Sequence, residues 1–458
     1  MNDGAEEFDE VEESDRAEEP EGGDGAVGAY GTGGADSGGG ANAGRDGRGG
    51  DAQHVERLLR TEAPHVLGAL TRRFGRFDVA EDAVQEALLA AHGAWTATGV
   101  PDQPRGWLIR VGYRRMVDLL RSEQARQRRE RDVSLAELAG RPPEPAAETD
   151  DSLTLLLLCC HPELPPASQI ALTLRAVGGL TTAEIAHAYG TSEATMGTRI
   201  SRAKQRLARA GARFTPPSAA DRDSRMAAVM QVLYLIFNEG YTATAGDALS
   251  RLDLTGEAIR LARLLHAAAP EDAEASGLLA LMLLIESRRA ARTGEGGALL
   301  PLDEQDRTRW DRELIREGTA LIDGVWGRGA AGPYQLQAAI AALHAAAPTA
   351  GRTDWPQIAM LYLWWERLAP TAPVRLSRVV AVARAFGPVR GLALLDDLNR
   401  RHGLDRDPLT RQRERAVRAH LTHLSGDPAR AAALYREAAD LTANQVERRY
   451  LLDKAGGG

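Results

Sequence analysis

The chain has 458 residues and a net charge of −8, which arises in the first fifty residues, where fourteen acidic side chains accompany three arginines. The rest of the chain is slightly basic, so the acidic total does not exclude nucleic acid as a partner. Two adjacent cysteines exclude a disulfide framework, and the sequence shows neither an apolar run long enough for a membrane span nor a secretory signal, so we expect a cytoplasmic protein without membrane contact.

Apolar residues recur at helical spacing along most of the chain, whereas the alternation typical of strands is nearly absent, so the predicted fold class is all-α. Composition and Pro or Gly signals divide the chain. The predicted segments are a disordered acidic tail (1–51), a first helical unit (52–135), a Pro- and Glu-rich linker (136–151), a second helical unit (152–214) and a helical extension (225–455).

The first unit contains an acidic helix, "DVAEDAVQEALLAAHGAW", with Asp78, Glu81, Asp82, Gln85 and Glu86 on its polar side. Paired carboxylates could serve acid–base chemistry or hold a metal. No histidine or cysteine stands at ligand spacing, so the pattern favours a polar surface that faces another protein.

The segment "PRGWLIRVGYRRMVDLLR" is strongly basic and contains two aromatic residues, Trp107 and Tyr113. Aromatic rings among cations suit opened, single-stranded DNA, because bases stack on rings while arginines bind phosphates. Trp107 also lies at core spacing with its apolar neighbours, so a role in the core is the alternative. The candidate DNA-binding cations here are Arg105, Arg110, Arg114 and Arg115.

The second unit contains "GLTTAEIAHAYGTSEATMGTRISRAKQRL", which reads as two short helices. Thr181 or Thr182 can cap the first helix, Gly190 ends it, and Ser192 caps a second helix that is basic. Two helices joined by a tight turn predict a helix-turn-helix whose second helix enters the major groove. A solvated basic helix packed on its neighbour is the alternative.

Cys159, Cys160 and His161 stand together, but the chain offers no second ligand pair, so we interpret the cysteines as small apolar residues at the end of a helix. No metal or cofactor is predicted. No catalytic constellation or nucleotide-binding loop stands out, and the chain is not expected to be an enzyme. The stretch Asn238–Gly240 predicts the end of a helix.

The extension is weakly repetitive. "SGDPARAAALYREAADL" has the small and aromatic spacing of a tetratricopeptide-like helix pair, so we expect stacked helix pairs, with a single irregular bundle as the alternative.

The order of these segments resembles the two conserved domains, regions 2 and 4, of extracytoplasmic-function RNA polymerase sigma factors. It is most similar to the subgroup with a long, helical, tetratricopeptide-like C-terminal extension, for which "CCHPELPPASQIALTLRAVGGLTTAEIA" and "DWPQIAMLYLWWERLAP" are close to signature stretches. The resemblance covers residues 51 to 454 and implies a factor that binds core RNA polymerase and gives it promoter specificity.

The resemblance also implies roles for single residues. Asp82, Gln85 and Glu86 would bind the polymerase. The loop "TGVPDQPRG" and the basic helix after it would open the −10 promoter element. The −35 readers would be Thr195, Thr198, Arg199 and Arg202. Gly197 departs from the family pattern, which often has a larger polar residue there. The extension would contact a regulatory protein or the rest of the chain.

Two other classes of protein remain open at this point. One is a helix-turn-helix regulator whose helical C-terminal half senses a ligand or a protein; such a regulator needs no second, aromatic-containing basic helix. The other is a helical enzyme with a DNA-binding appendage, against which the lack of convergent polar residues counts.

Overall fold

The structure is a computed structural model that describes residues 46–127, 151–189, 191–215, 217–218, 221–243, 254–292, 300–442 and 445–456. These residues form eighteen α-helices and no strand, which confirms the predicted fold class. Residues 1–45 of the predicted tail and 136–150 of the predicted linker lie outside the described ranges, as does Gly190.

Three helices make up the first unit: α1 (Asp46–Phe74), α2 (Phe77–Thr98) and α3 (Pro104–Gln127). Gly75, with φ of +68°, allows the sharp turn from α1 to α2, and Gly99, with φ of +88°, ends α2. Ala80, Val84 and Leu88 bury the apolar face of α2, and α2 packs along α3. The polar face of α2 is therefore directed away from this packing.

The second unit contains α4 (Ser152–Cys159), α5 (Pro166–Ala176), α6 (Thr182–Ala188) and α7 (Glu193–Arg209). The apolar helix α4 is almost wholly buried, and so are Cys159 and Cys160 at its end. This burial confirms the cysteines as core residues. Pro166 occupies the first position of α5, where its fixed φ suits a helix start.

In its described residues between 222 and 456, the extension contains eleven α-helices. They are α8 (Arg222–Ala243), α9 (Leu254–Ala268), α10 (Ala273–Glu286), α11 (Arg312–Val325), α12 (Pro333–Ala346), α13 (Trp355–Leu368), α14 (Ala372–Phe386), α15 (Pro388–His402), α16 (Arg411–Leu424), α17 (Pro428–Asp440) and α18 (Gln445–Gly456). α12 packs mainly on α10, and from α13 onward each helix packs mainly on its neighbours in sequence, as stacked helical repeats do. The extension is tetratricopeptide-like, as the sequence predicts.

One hydrophobic core continues from Val55 in α1 to Leu283 in α10. It joins the first unit, the second unit and the first helices of the extension, because α8 and α9 pack on α4 and α8 also packs on α5. The predicted helix end at Gly240 is wrong, since α8 continues to Ala243. A Cβ at Gly240 would lie 2.7 Å from the Leu254 Cβ, so the glycine permits close packing of α9 rather than a turn.

Candidate functional site

The turn between α6 and α7 is built by two side-chain caps. The Thr181 hydroxyl accepts a hydrogen bond from the Glu184 backbone N–H at 3.2 Å, and the Glu184 carboxylate accepts one from the Thr181 N–H at 2.7 Å. Ser192 caps α7 by accepting from the Thr195 N–H at 3.2 Å. Ile185 in α6 and Met196 and Ile200 in α7 are buried in the common core. The pair forms the helix-turn-helix that the sequence predicts.

The outer face of α7 carries the four residues predicted to read the −35 element. Thr195, Thr198 and Arg202 are exposed, and Arg199 is half-buried. The Thr195 hydroxyl contacts Ser192 Oγ, and the Thr198 hydroxyl donates to the Ala194 carbonyl, so both hydroxyls already have a partner in α7 or its cap. Neither arginine has an ion-pair partner in the described part of the chain. This face is free to meet a DNA groove.

The four candidate cations of α3 fall into two groups. Arg110 and Arg114 are exposed and have no ionic partner within the described ranges. Arg105 pairs with Glu62 of α1 at 2.6 Å, and Arg115 lies 3.4 Å from Glu86 of α2. Arg110 and Arg114 are thus available to bind DNA phosphates. Arg105 and Arg115 would first have to leave their carboxylate partners, Glu62 and Glu86.

Both aromatic residues of α3 contact the core. Trp107 is half-buried against Trp95 in an edge-on arrangement with ring centroids 5.5 Å apart. Tyr113 is 6% exposed and packs on Phe74, with centroids 5.4 Å apart. The structure therefore supports the core interpretation of both rings over that of an exposed stacking platform.

The polar face of α2 lies against the second unit. The Lys204 ammonium of α7 donates to Asp82 and Glu81, and the Arg175 guanidinium of α5 donates to Glu81 at 2.9 Å. Gln85 is buried, with its amide nitrogen 3.5 Å from the Arg175 carbonyl. Of the three residues predicted to bind polymerase, Asp82 and Gln85 thus lie at this contact, and Glu86 is exposed next to Arg115.

Glu81 is the centre of this contact. Its side chain is 2% exposed, while that of Lys204 is 10% exposed. Burial alone would raise the pKa of Glu81, but Lys204 and Arg175 outweigh burial and hold this pKa below its ordinary value. Burial likewise opposes charge on Lys204, yet Glu81 and Asp82 raise its pKa. Glu81 and Lys204 therefore both stay charged at neutral pH.

The sequence pattern does not reveal this pairing. Glu81 reads as one more acid on a solvated helix face, and its partners lie 94 and 123 residues away along the chain. The available signal is its position between Ala80 and Val84, which are core residues, so that Glu81 lies at the edge of the apolar face.

A second contact joins α1 to α6 and to the loop before it. Arg60 donates to Glu184 at 2.9 Å, in addition to its pair with Glu56. Gly179, with φ of +69°, brings the loop so close that a Cβ there would lie 3.2 Å from the Arg60 Cα. The first and second units are therefore held together at two separate places.

The extension contacts the second unit through arginines as well as through the common core. Arg225 of α8 donates to the Leu157 carbonyl at 3.1 Å, and Arg260 of α9 donates to the Val177 carbonyl at 2.9 Å. Both carbonyls lie near the ends of helices of the second unit, where backbone acceptors lack helical partners. The extension thus fixes α4 and α5, and α7 packs on α5.

Within the described ranges, no cluster of histidine, cysteine and carboxylate side chains could hold a metal ion. In the same ranges, no helix is both long and apolar enough to cross a membrane.

Three family models match the chain in sequence order. A model described as sigma-70 region 2 matches residues 58–126, and one described as sigma-70, region 4 matches residues 154–207. A third, described as a family of unknown function (DUF6596), matches residues 225–325 in the extension.

Several curated relatives are similar to the chain. An uncharacterized protein of Rhizobium meliloti is 43% identical over 382 residues, which span 81% of this chain and 90% of the relative. The RNA polymerase sigma factor NccH of Alcaligenes xylosoxydans is 31% identical over 158 residues, 31% of this chain and 85% of NccH. The probable ECF RNA polymerase sigma factor SigI of Mycobacterium tuberculosis is 29% identical over 163 residues, 34% of this chain and 56% of SigI.

Proposed function

Because the chain belongs to the extracytoplasmic-function family of RNA polymerase sigma factors, in the subgroup with a C-terminal helical extension, we propose that it directs core RNA polymerase to specific promoters under control of that extension. The observation that carries the proposal is the order of regions 2 and 4 on α1–α3 and α4–α7, with an exposed basic reading face on α7. The protein itself catalyses no reaction and acts in the cytoplasm, where it lends specificity to the polymerase.

The proposed contacts are those that the family resemblance implies. Arg199 and Arg202, with Thr195 and Thr198, read the −35 element in the major groove. The four arginines of α3 hold the −10 region, first through the unpaired Arg110 and Arg114. Asp82, Gln85 and Glu86 bind the polymerase.

The structure corresponds to a closed state of the factor in this proposal. Gln85 cannot meet the polymerase while region 4 buries it, and the exposed carboxylate of Asp82 is already paired with Lys204 of region 4. Region 4 must therefore leave α2 before core enzyme binds. Since Arg225 and Arg260 anchor the extension to region 4, the extension is placed to set how readily this opening occurs.

In vitro transcription with core polymerase and a library of genomic fragments tests the function. We expect transcripts from a small set of fragments that share −35 and −10 elements, and none without the factor. A helix-turn-helix regulator would instead bind fragments by itself and yield no transcript with core enzyme alone. That result would contradict the proposal.

A core pull-down tests the polymerase surface. The double variant Asp82→Lys/Glu86→Lys should lose core binding because it reverses the charge of the surface. Asp323→Lys, a reversal at an exposed acid of α11, is the matched control and should bind core enzyme as the wild type does. Undiminished binding of core enzyme by the double variant would show that Asp82 and Glu86 are not part of the polymerase interface.

A further inference from the structure

The extension contains a cavity of about 280 Å³, partly open to solvent, between α10, α12 and α13. This volume lies just below the roughly 300–1,000 Å³ typical of small-molecule sites. Leu281, Leu284 and Ile340 form an apolar wall, and Tyr362 and Trp365, stacked on each other with centroids 5.8 Å apart, form an aromatic one. These walls suit a flat, apolar body of modest size.

Two hydrogen-bond donors at the cavity are not used. Arg288 is half-buried at its edge and makes neither an ion pair nor a side-chain hydrogen bond with any residue that the structure describes. Trp310 is 4% exposed and lines the cavity, and its indole N–H has no partner in the same described ranges. The indole nitrogen itself is inaccessible to solvent, so Arg288 is the unpaired donor that an acceptor in the cavity can meet directly.

The surroundings of these donors are electropositive. Arg307 lies over the Trp310 ring, with its guanidinium carbon 4.6 Å from the centroid, and donates only to backbone carbonyls, among them that of Ala347 at 2.8 Å. His344 lines the cavity, and burial together with Arg288 and Arg307 lowers its pKa to about 4. No carboxylate is among the described lining residues, so the charge of Arg288 is not balanced inside the cavity.

We propose that this cavity binds a small aromatic monocarboxylate, whose ring lies between the apolar and aromatic walls and whose carboxylate accepts hydrogen bonds from Arg288. A guanidinium is the side chain best matched to a carboxylate, since its planar fork can donate two parallel bonds. The site lies in the extension, away from the residues assigned to polymerase and promoter, and its existence does not depend on the proposed function.

Isothermal titration calorimetry on the purified full chain tests the site with three probes: benzoate, phenylacetate and indole-3-acetate. Each acid is compared with its neutral amide, which has the same shape without the charge. We expect at least one acid to bind saturably, and its amide to bind at least tenfold more weakly. Equal binding of acid and amide, or no saturable binding of any of the three acids, would overturn the proposal.

Variants then locate the bound acid. Arg288→Met should weaken binding of the acid at least tenfold, whereas Arg309→Met, at an exposed arginine of the neighbouring turn, should leave it unchanged. Arg288→Lys keeps the charge without the planar fork and should bind the acid with intermediate affinity. This variant also replaces Arg288→Met in the test if Arg288→Met fails to fold. Wild-type affinity in both Arg288 variants would overturn the assignment of the site.

Discussion

Glu81 shows how one buried acid can hold two domains together. It accepts hydrogen bonds from Arg175 of α5 and Lys204 of α7, and it is among the least exposed charged side chains that the structure describes. A buried pair of this kind is costly to assemble, but it is costlier to break on one side, because the remaining charges stay buried without compensation.

Glu81→Gln should therefore lower the free energy of unfolding by about 3–5 kcal/mol. Urea denaturation at neutral pH measures this change. Glu86→Gln, on the same helix but with the side chain 46% exposed, is the control and should change the stability by less than about 0.5 kcal/mol. A similar loss in both variants would mean that burial of Glu81 is not the cause.

The contribution of Glu81 also depends on pH. Because the folded state holds the pKa of Glu81 below its ordinary value of 4.5, the stabilisation is fully present above pH 4.5 and is lost as the pH falls below that value. We expect the difference in unfolding free energy between the wild type and Glu81→Gln to shrink over this acidic range. A difference that stays constant between neutral pH and the acid limit of folding would contradict the linkage.

The two arginines on the outer face of α7 differ from Lys204 in having no partner in the described part of the chain. Arg199→Ala or Arg202→Ala should weaken promoter binding by about 1–3 kcal/mol and leave core binding unchanged. Arg413→Ala, at an exposed arginine of α16, is the control in the same electrophoretic mobility-shift assay. Unaltered transcription by both α7 variants would contradict the assignment of the reading helix.

Among the helices, those whose limits are set by local chemistry were predictable from the sequence. Thr181 and Ser192 cap α6 and α7 as expected, because capping depends on residues within one turn. Gly240 was misread, because a glycine looks the same in sequence whether it ends a helix or admits a neighbouring one. Only the position of Leu254, which the sequence does not give, distinguishes the two.

The cap of α6 provides a test at this scale. Thr181→Ala removes the hydroxyl that accepts from the Glu184 N–H, while the bond from the Thr181 N–H to the Glu184 carboxylate can persist, and it should cost about 1 kcal/mol of stability. Thr182→Ala, at the first position inside the same helix, removes no cap and should cost less. Chemical denaturation compares the two variants, and an equal loss of stability would show that the cap does not stabilise α6.

For the whole molecule, the order of the domains could be predicted from the sequence, but the contacts between the domains could not. Apolar spacing and basic segments gave the helical units, and their order carried the resemblance to regions 2 and 4. The pairing of Glu81 with Lys204, and of Arg260 with the Val177 carbonyl, joins residues far apart in sequence, each of which reads as solvated in its own helix. No local pattern encodes such a contact.

The extension should control the opening of the closed state. The double variant Arg225→Ala/Arg260→Ala removes two hydrogen bonds between the extension and region 4, and it should bind core enzyme faster than the wild type does. Lys204→Glu, which breaks the contact with α2 directly, shows the effect of full opening, and Arg430→Ala, at an exposed arginine of α17, is the control. Unchanged association by the double variant alongside faster association by Lys204→Glu would exclude control by the extension.

The two buried cysteines at the end of α4 can report how often this part of the core opens. Thiols react as thiolates, and burial raises the pKa of Cys160 to about 12 and that of Cys159 well above its ordinary value. A thiol-specific dye can therefore label them only during moments when α4 separates from its surroundings. Since the sequence contains no other cysteine, the labelling rate of the unmodified protein reports how readily α4 separates from its surroundings. The same labelling rate, measured with core enzyme, promoter DNA or a small acid present, would show whether each of them makes this opening rarer or more frequent.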